Sequence, residues 1–124
     1  MMIEPKAIIL YVDDLAVSTQ FYQELFGKKP QEESPTFNSF TLSNGMSLGL
    51  KASPSVLPPV DEKTRGGELA FTVDAPHKVD ELFVHWQSKG TKILQTPTTV
   101  TFGYTFLALD PDGNRLRVVS LGTS

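Results

Sequence analysis

The fold is decided by the stretch Phe102-Gly-Tyr-Thr-Phe-Leu-Ala-Leu-Asp-Pro-Asp-Gly-Asn-Arg-Leu-Arg-Val-Val-Ser120. Two runs rich in aromatic and β-branched residues flank Asp110–Asn114, whose Pro, Gly, Asp and Asn residues are typical of turns. The stretch is therefore predicted to be a β-hairpin. In its second strand Arg115, Arg117 and Val119 share one face, because side chains alternate along a strand. Two arginines thus lie on a face that needs a polar partner.

Outward from this hairpin, the chain repeats one pattern twice. A strand over residues 6–12 is followed by an amphipathic helix from Leu15 to Phe26 and by three strands up to residue 51. After a Pro-rich connector come a strand over 68–73, a second helix opening near Pro76, and three more strands. We predict an α+β fold of two βαβββ modules in a single domain 1–124. Module one covers about 5–52, a linker or mobile lid about 53–66, and module two about 67–121.

Composition excludes several classes of function. The 124 residues carry a formal net charge of −3 and no cysteine. Without a basic run, neither nucleic acid nor an anionic membrane is expected as a partner, and without cysteine there is no disulfide or thiolate chemistry. The N-terminus lacks the regions of a signal peptide, and no apolar run approaches the length of about 18 residues that suggests a membrane span. We expect a cytoplasmic protein.

Four short motifs resemble the vicinal oxygen chelate superfamily, which includes glyoxalase I, extradiol dioxygenases and bleomycin-resistance proteins. They are Tyr11-Val-Asp-Asp-Leu15, Phe21-Tyr22 and Leu25-Phe-Gly27 early in the chain, and Asp110-Pro-Asp-Gly-Asn114 late. The resemblance covers essentially the whole chain. It implies paired βαβββ modules that form a cupped mixed sheet with helices on its outer face, usually in a homodimer.

The resemblance also implies where metal ligands would stand. In the metal-dependent members they occupy the first and last strands of each module, which here correspond to four residues: Ala7, Gly49, Glu68 and Arg117. Ala and Gly offer no ligand atom, Arg only donates hydrogen bonds, and one carboxylate cannot hold a divalent cation alone. The two histidines, His77 and His85, fall on the second helix, away from the cup. We therefore predict no metal and no cofactor.

Strand alternation suggests what the cup carries instead. We predict that Glu68 and Arg117, on neighbouring strands, form an ion pair where a metal would otherwise lie; the alternative is that each points to solvent. Phe102, Tyr104 and Phe106 share one face by alternation, although the sequence does not fix which face, and any single aromatic is more often core or dimer packing than a ligand contact. The predicted ligand-binding residues are Phe37, Phe40, Lys51, Glu68, Phe102, Tyr104 and Arg117.

Three functions are compatible with this pattern. The first is a metal-free binding protein that sequesters a small planar aromatic ligand, as the antibiotic-resistance members of the superfamily do. The second half of the chain looks particularly like the phenazine-antibiotic resistance binders. The second is an enzyme: a glyoxalase-like lyase or isomerase that uses Glu68 as a base, or a dioxygenase relative. The third is a domain whose cup serves only as a dimer interface.

Overall fold

The computed structural model describes residues 5–57, 59–61 and 68–122. The chain divides into two compact units, Met1–Arg65 and Gly66–Ser124. Each unit has the predicted order of one strand, one helix and three strands, so the expectation of paired βαβββ modules is confirmed. The strands are hydrogen-bonded within each module, which gives two four-stranded mixed sheets. The segment predicted as a linker or mobile lid, about 53–66, lies partly outside the described residues, so the choice between the two stays a prediction.

The first module contains β1 (Ala7–Val12), α1 (Leu15–Phe26), β2 (Glu32–Glu33), β3 (Phe37–Thr41) and β4 (Ser47–Ala52). Its sheet has the order β1-β4-β3-β2, in which β1 and β4 are parallel and the other pairs antiparallel. The second strand is only 2 residues long. Pro30 accounts for this, because it has no N–H to contribute to a ladder.

Helix α1 has the ends that the sequence predicts. Asp14 is its N-cap and accepts a hydrogen bond from the Val17 N–H at 3.1 Å. Gly27 ends it in the left-handed conformation, with φ of 69°. The helix packs on its sheet through aromatic contacts, and a buried hydrogen bond from Asn38 Nδ2 to Thr19 Oγ1 at 2.8 Å fixes its position on β3.

The second module contains β5 (Glu68–Thr72), α2 (Pro76–Ser88), β6 (Lys92–Val100), β7 (Gly103–Leu109) and β8 (Arg115–Leu121). Its sheet has the order β5-β8-β7-β6, with β5 and β8 parallel. The predicted hairpin joins β7 to β8. Asp110 Oδ1 accepts hydrogen bonds from the Asp112 and Asn114 N–H groups at 2.9 and 2.8 Å, and Gly113 supplies a φ of 85°.

Helix α2 covers one face of the second sheet. The Trp86 ring meets Phe71 and Phe106 edge-on, with centroids 5.7 and 5.4 Å apart, and Phe83 contacts Phe106 in the same way. These residues form the core of the module together with the fully buried Val79. Neither α1 nor α2 is long and apolar enough to span a membrane, and the same holds for every described helix.

Candidate ligand-binding site

Contacts with α2 define the two faces of the second sheet. Phe71 and Phe106 contact the helix, so their register partner Val118 lies on the same, helix-facing side. Side chains alternate along a strand, so residues an odd number of positions from Phe71, Phe106 or Val118 on the same strand point to the opposite side of the sheet. We call this side the helix-distal face. It carries Glu68 from β5, Thr105 from β7 and Arg117 from β8. The two arginines that the sequence placed together, Arg115 and Arg117, both belong to it.

An ion pair joins two strands on this face. Arg117 Nε donates to Glu68 Oε2 at 2.9 Å, so the predicted pairing of these side chains is confirmed. The pair is diagonal, because the register places Arg117 beside Ala70 and Glu68 beside Arg115. The Arg117 side chain is 16% exposed and that of Glu68 is 36% exposed. A guanidinium that is largely removed from water requires such partners.

An aromatic ring lies against the same guanidinium. Arg117 Cζ stands 5.2 Å from the centroid of the Phe102 ring, within the range of a cation–π contact. Phe102 lies in the turn before β7 and is 42% exposed. Gly103, which follows it, has a φ of 151°, and a Cβ there would collide with the backbone oxygen of Ser120. This turn, which needs glycine, brings Phe102 to Arg117.

A buried hydroxyl completes the surroundings of Arg117. Thr105 Oγ1 accepts a hydrogen bond from Arg117 Nη1 at 3.1 Å and donates one to the Val118 carbonyl at 2.8 Å. Thr105 is 0% exposed. The sequence analysis did not select Thr105. The available signal was its position, because Thr105 lies two residues before Leu107 and Leu107 is the register partner of Arg117.

Tyr104 and Phe40 lie elsewhere than predicted. The Tyr104 hydroxyl donates to Asp80 Oδ1 on α2 at 2.7 Å, so Tyr104 is on the helix side of its sheet. This hydrogen bond, followed by desolvation, raises the pKa of Tyr104 above its usual value. Phe40 is 0% exposed and meets Phe26 of α1, with ring centroids 5.3 Å apart. Both residues pack toward a helix, which removes them from the predicted ligand-binding set.

The first module carries its own helix-distal face, with Phe37 and Lys51 as register partners. The Phe37 ring lies over Gly49: a Cβ at Gly49 would be 2.7 Å from Phe37 Cε1 and 2.7 Å from Ile9 Cδ1. The missing side chain of Gly49 therefore leaves space for the Phe37 ring on the sheet. Phe37 and Lys51 are both partly exposed.

Gly49 and Arg117, which stand at two of the positions where the resemblance implied metal ligands, do not fit a metal ion. Gly49 has no side chain, and the Phe37 ring fills the space that a side chain would take. Arg117 offers N–H donors, whereas a metal ion needs oxygen or nitrogen atoms with free lone pairs. His77 lies on the surface of α2, 3.6 Å from Glu81. Within residues 5–57, 59–61 and 68–122, no group of three His, Cys, Asp or Glu side chains could hold a metal.

The fold and the sequence together define the class of protein. Residues 5–118 match the model of the Glyoxalase/Bleomycin resistance protein/Dioxygenase superfamily. The chain therefore belongs to this superfamily, as its early and late motifs suggested.

Among individual proteins, the chain is 31% identical over 122 residues to the phenazine antibiotic resistance protein EhpR of Enterobacter agglomerans. The match covers 96% of this chain and 93% of that protein. It is also similar to the solution structure of protein ATC0852 from Agrobacterium tumefaciens, with 48% identity, a TM-score of 0.90 and coverage of 98% and 100% of the two chains. A glyoxalase-related enzyme from Fulvimarina pelagi aligns with a TM-score of 0.81 and 25% identity, over 96% and 88% of the chains.

Proposed function

We propose that this protein binds a small planar aromatic molecule without a metal ion and protects the cell by sequestering it. The observation that carries the proposal is the Arg117 guanidinium, which lies over the Phe102 ring and is bonded to Glu68. This arrangement places a flat, partly exposed ring beside a fixed positive charge. No bond of the ligand is made or broken in the proposed activity.

The chemistry of the site suggests which groups a ligand would offer. A flat ring system can stack on Phe102, because aromatic rings attract one another in offset or edge-to-face arrangements. A carboxylate on that ring system would accept hydrogen bonds from Arg117, and an amine or hydroxyl would donate to Glu68. In the first module, taken by itself, Phe37 and Lys51 offer the same combination of a ring and a cation, so we propose them as ligand contacts of that module.

Relatedness supports an antibiotic as the ligand. The relative in Enterobacter agglomerans is a phenazine antibiotic resistance protein, and the similarity extends over nearly the whole of both chains. Phenazines are flat tricyclic aromatics, which suits stacking on an exposed ring. We therefore propose a phenazine-like molecule as the class of ligand.

Binding is tested by thermal unfolding of the purified protein with phenazine-1-carboxylate. A ligand present at about 100 times its dissociation constant stabilises the native state by about 2.7 kcal/mol. For a chain of this size, that raises the melting temperature by several degrees. No stabilisation by any planar aromatic compound, at concentrations up to solubility, would refute the proposal.

Two pairs of variants locate the binding site. Phe102→Leu removes the ring and is expected to weaken binding about threefold to tenfold, the equivalent of one aromatic contact. Tyr104→Phe is its control, because Tyr104 packs toward α2. Arg117→Met removes the paired cation, and Arg115→Met removes the same charge from an exposed position on the same strand. Equal losses in the two arginine variants would indicate unspecific attraction and contradict the assigned site.

A parallel experiment adds Zn²⁺, Ni²⁺ or Mn²⁺ in place of the aromatic compound. The donor set at Gly49, Glu68 and Arg117 predicts no stabilisation that a chelator reverses. Chelator-sensitive stabilisation by any of these ions would contradict the metal-free proposal and favour an enzyme instead.

The proposal includes a homodimer. In the first module, β1 has one hydrogen-bonded neighbour among the described strands, and two large apolar side chains of this edge strand, Ile8 and Ile9, are exposed. An exposed apolar edge strand is a surface that native proteins usually cover. Light scattering coupled to size-exclusion chromatography should give about twice the 13.7 kDa mass of the chain. A monomer at micromolar concentrations would contradict this part of the proposal.

A further inference from the structure

The guanidinium of Arg117 is held from three directions. Glu68 accepts from Nε at 2.9 Å, the Phe102 ring centroid lies 5.2 Å from Cζ, and Thr105 accepts from Nη1 at 3.1 Å. Glu68 and Phe102 are both partly exposed, and their side chains can rotate. Thr105 differs from them because it is fully buried and its χ1 angle is restricted by branching at Cβ. Of the three contacts, Thr105 is the one with a fixed position.

The hydroxyl of Thr105 is oriented by a second hydrogen bond. It donates to the Val118 carbonyl at 2.8 Å, which turns an oxygen lone pair toward Arg117 Nη1. Both bonds belong to the central strands β7 and β8, so the acceptor is part of the sheet itself. A guanidinium has five N–H donors, and Nη2 donates to no residue in the described part of the chain. The two hydrogen bonds use one N–H of Nε and one of Nη1, so the Nη2 group has no hydrogen-bond partner among the described residues.

We infer that Thr105 is a positioning residue for the ligand site: its buried hydroxyl holds the Arg117 guanidinium against Phe102 with the Nη2 edge presented to an anionic group of the ligand. The inference rests on the proposed binding of an aromatic ligand and adds to it how selectivity for a carboxylate arises. A guanidinium held in place loses less conformational entropy on binding than one that must first be ordered.

The test compares three substitutions. Thr105→Val is nearly isosteric and removes only the hydroxyl, whereas Thr105→Ser keeps the hydroxyl and serves as the conservative rescue. Thr99→Val is the matched control, because Thr99 is exposed on β6 and pairs with Tyr104. Fluorescence of Trp86, the single tryptophan, verifies that each variant is folded. If Thr105→Val does not fold, Thr105→Ala takes its place.

The first readout needs no ligand. In NMR spectra of the labelled protein, the signal of the Arg117 Nη1–H group, which is the one bonded to Thr105, is expected to be resolved and slow to exchange with water in the wild type, Thr105→Ser and Thr99→Val. In Thr105→Val it should exchange at least about tenfold faster, as expected when a hydrogen bond to a charged group is lost. Unchanged exchange in Thr105→Val would overturn the inference, whatever the protein binds.

The second readout is selectivity between phenazine-1-carboxylate and the uncharged phenazine-1-carboxamide. Thr105→Val should weaken binding of the carboxylate about tenfold and that of the carboxamide less than about twofold, and Thr105→Ser should restore the difference. An equal loss for both compounds would mean that Thr105 acts only through the fold, and would overturn the inference. If the wild type binds neither compound, the proposed phenazine-like ligand class fails, while the exchange of the Arg117 signal still decides whether Thr105 positions Arg117.

Discussion

The ion pair between Glu68 and Arg117 permits a quantitative prediction. We consider the cycle of Glu68→Ala, Arg117→Met and the double variant. Alanine removes the carboxylate, and methionine keeps an apolar side chain where the arginine stem packs, so neither change introduces a new polar contact. The coupling energy is the amount by which the losses of the two single variants together exceed the loss of the double variant.

The magnitude follows from the burial of the two side chains. Fully exposed ion pairs contribute about 0.2–1 kcal/mol, and hydrogen bonds to charged groups contribute about 1.5–3 kcal/mol. The Arg117 side chain is 16% exposed and Glu68 is 36% exposed, which places this pair between the two classes. We expect a coupling free energy of about 1 kcal/mol at pH 7 and low salt. It should fall only slightly in 0.5 M NaCl, because salt screens partly buried pairs weakly.

The assay is urea unfolding followed by the fluorescence of Trp86. This tryptophan belongs to the core of the second module, which is the module that carries the ion pair. With a slope of about 1.5 kcal/mol per molar urea, a change of 1 kcal/mol moves the midpoint by about 0.7 M. Because two compact units can unfold separately, the circular dichroism and fluorescence transitions must be compared before a free energy is calculated.

The chain provides a matched control in Lys78 and Asp74. This pair on α2 has nearly the same separation, 2.8 Å, but both side chains are largely exposed. Its hydrogen bond lowers the pKa of Asp74 and raises that of Lys78, yet we expect a smaller coupling than for Glu68 and Arg117. A Glu68–Arg117 coupling below about 0.3 kcal/mol, or one no larger than that of the exposed pair, would refute the reasoning from burial.

Three further predictions concern residues outside the ligand site. Asp80→Asn should lower the pKa of Tyr104 toward the usual value of about 10, measured by absorbance at 295 nm against Tyr104→Phe. The hydrogen bond from Tyr104 to Asp80 favours the neutral phenol. The stability that this bond contributes should therefore be present below about pH 10 and lost as the pH rises through the raised pKa of Tyr104. An unchanged titration of Tyr104 in Asp80→Asn would contradict this prediction. Thr19→Val should lower the free energy of unfolding by about 1–2 kcal/mol in urea, because the buried Asn38 amide loses its acceptor; a neutral result would contradict it. Gly27→Ala should cost about 1 kcal/mol because of its φ of 69°, whereas unchanged thermal stability would show that this strain is absent.

Local sequence signals were sufficient for the architecture. The turn at Asp110–Asn114 depends on side chains that bond nearby backbone groups. Helix α1 starts at the N-cap Asp14, and α2 starts with Pro76 in its first turn. Such interactions act between near neighbours, so their patterns can be read in the sequence. The Glu68–Arg117 pair was also predictable, because a single parallel pairing of β5 with β8 brings the two residues together.

The faces of the aromatic residues were harder to predict. Alternation correctly groups Tyr104 with Phe106, but which face they occupy depends on contacts with α2, which are distant in sequence. Phe102 departs from the alternation because the turn before Gly103 interrupts the strand. Phe37 and Phe40 are three residues apart on one strand, so alternation alone excludes a common face for them. One of these two could therefore have been rejected from the sequence.

The register shows that the two modules use equivalent positions differently. Gly49 and Arg117 are each the third residue of the strand that pairs in parallel with the first strand of the module, and each has a diagonal neighbour, Phe37 or Thr105. In the first module the Phe37 ring covers Gly49. In the second module the Thr105 hydroxyl accepts a hydrogen bond from Arg117. A ring over Gly49 and a cation at Arg117 therefore occupy, in different ways, two of the positions at which the resemblance implied metal ligands. Each module thus keeps an aromatic ring and a cation on its own helix-distal face: Phe37 with Lys51 in the first, and Phe102 with Arg117 in the second.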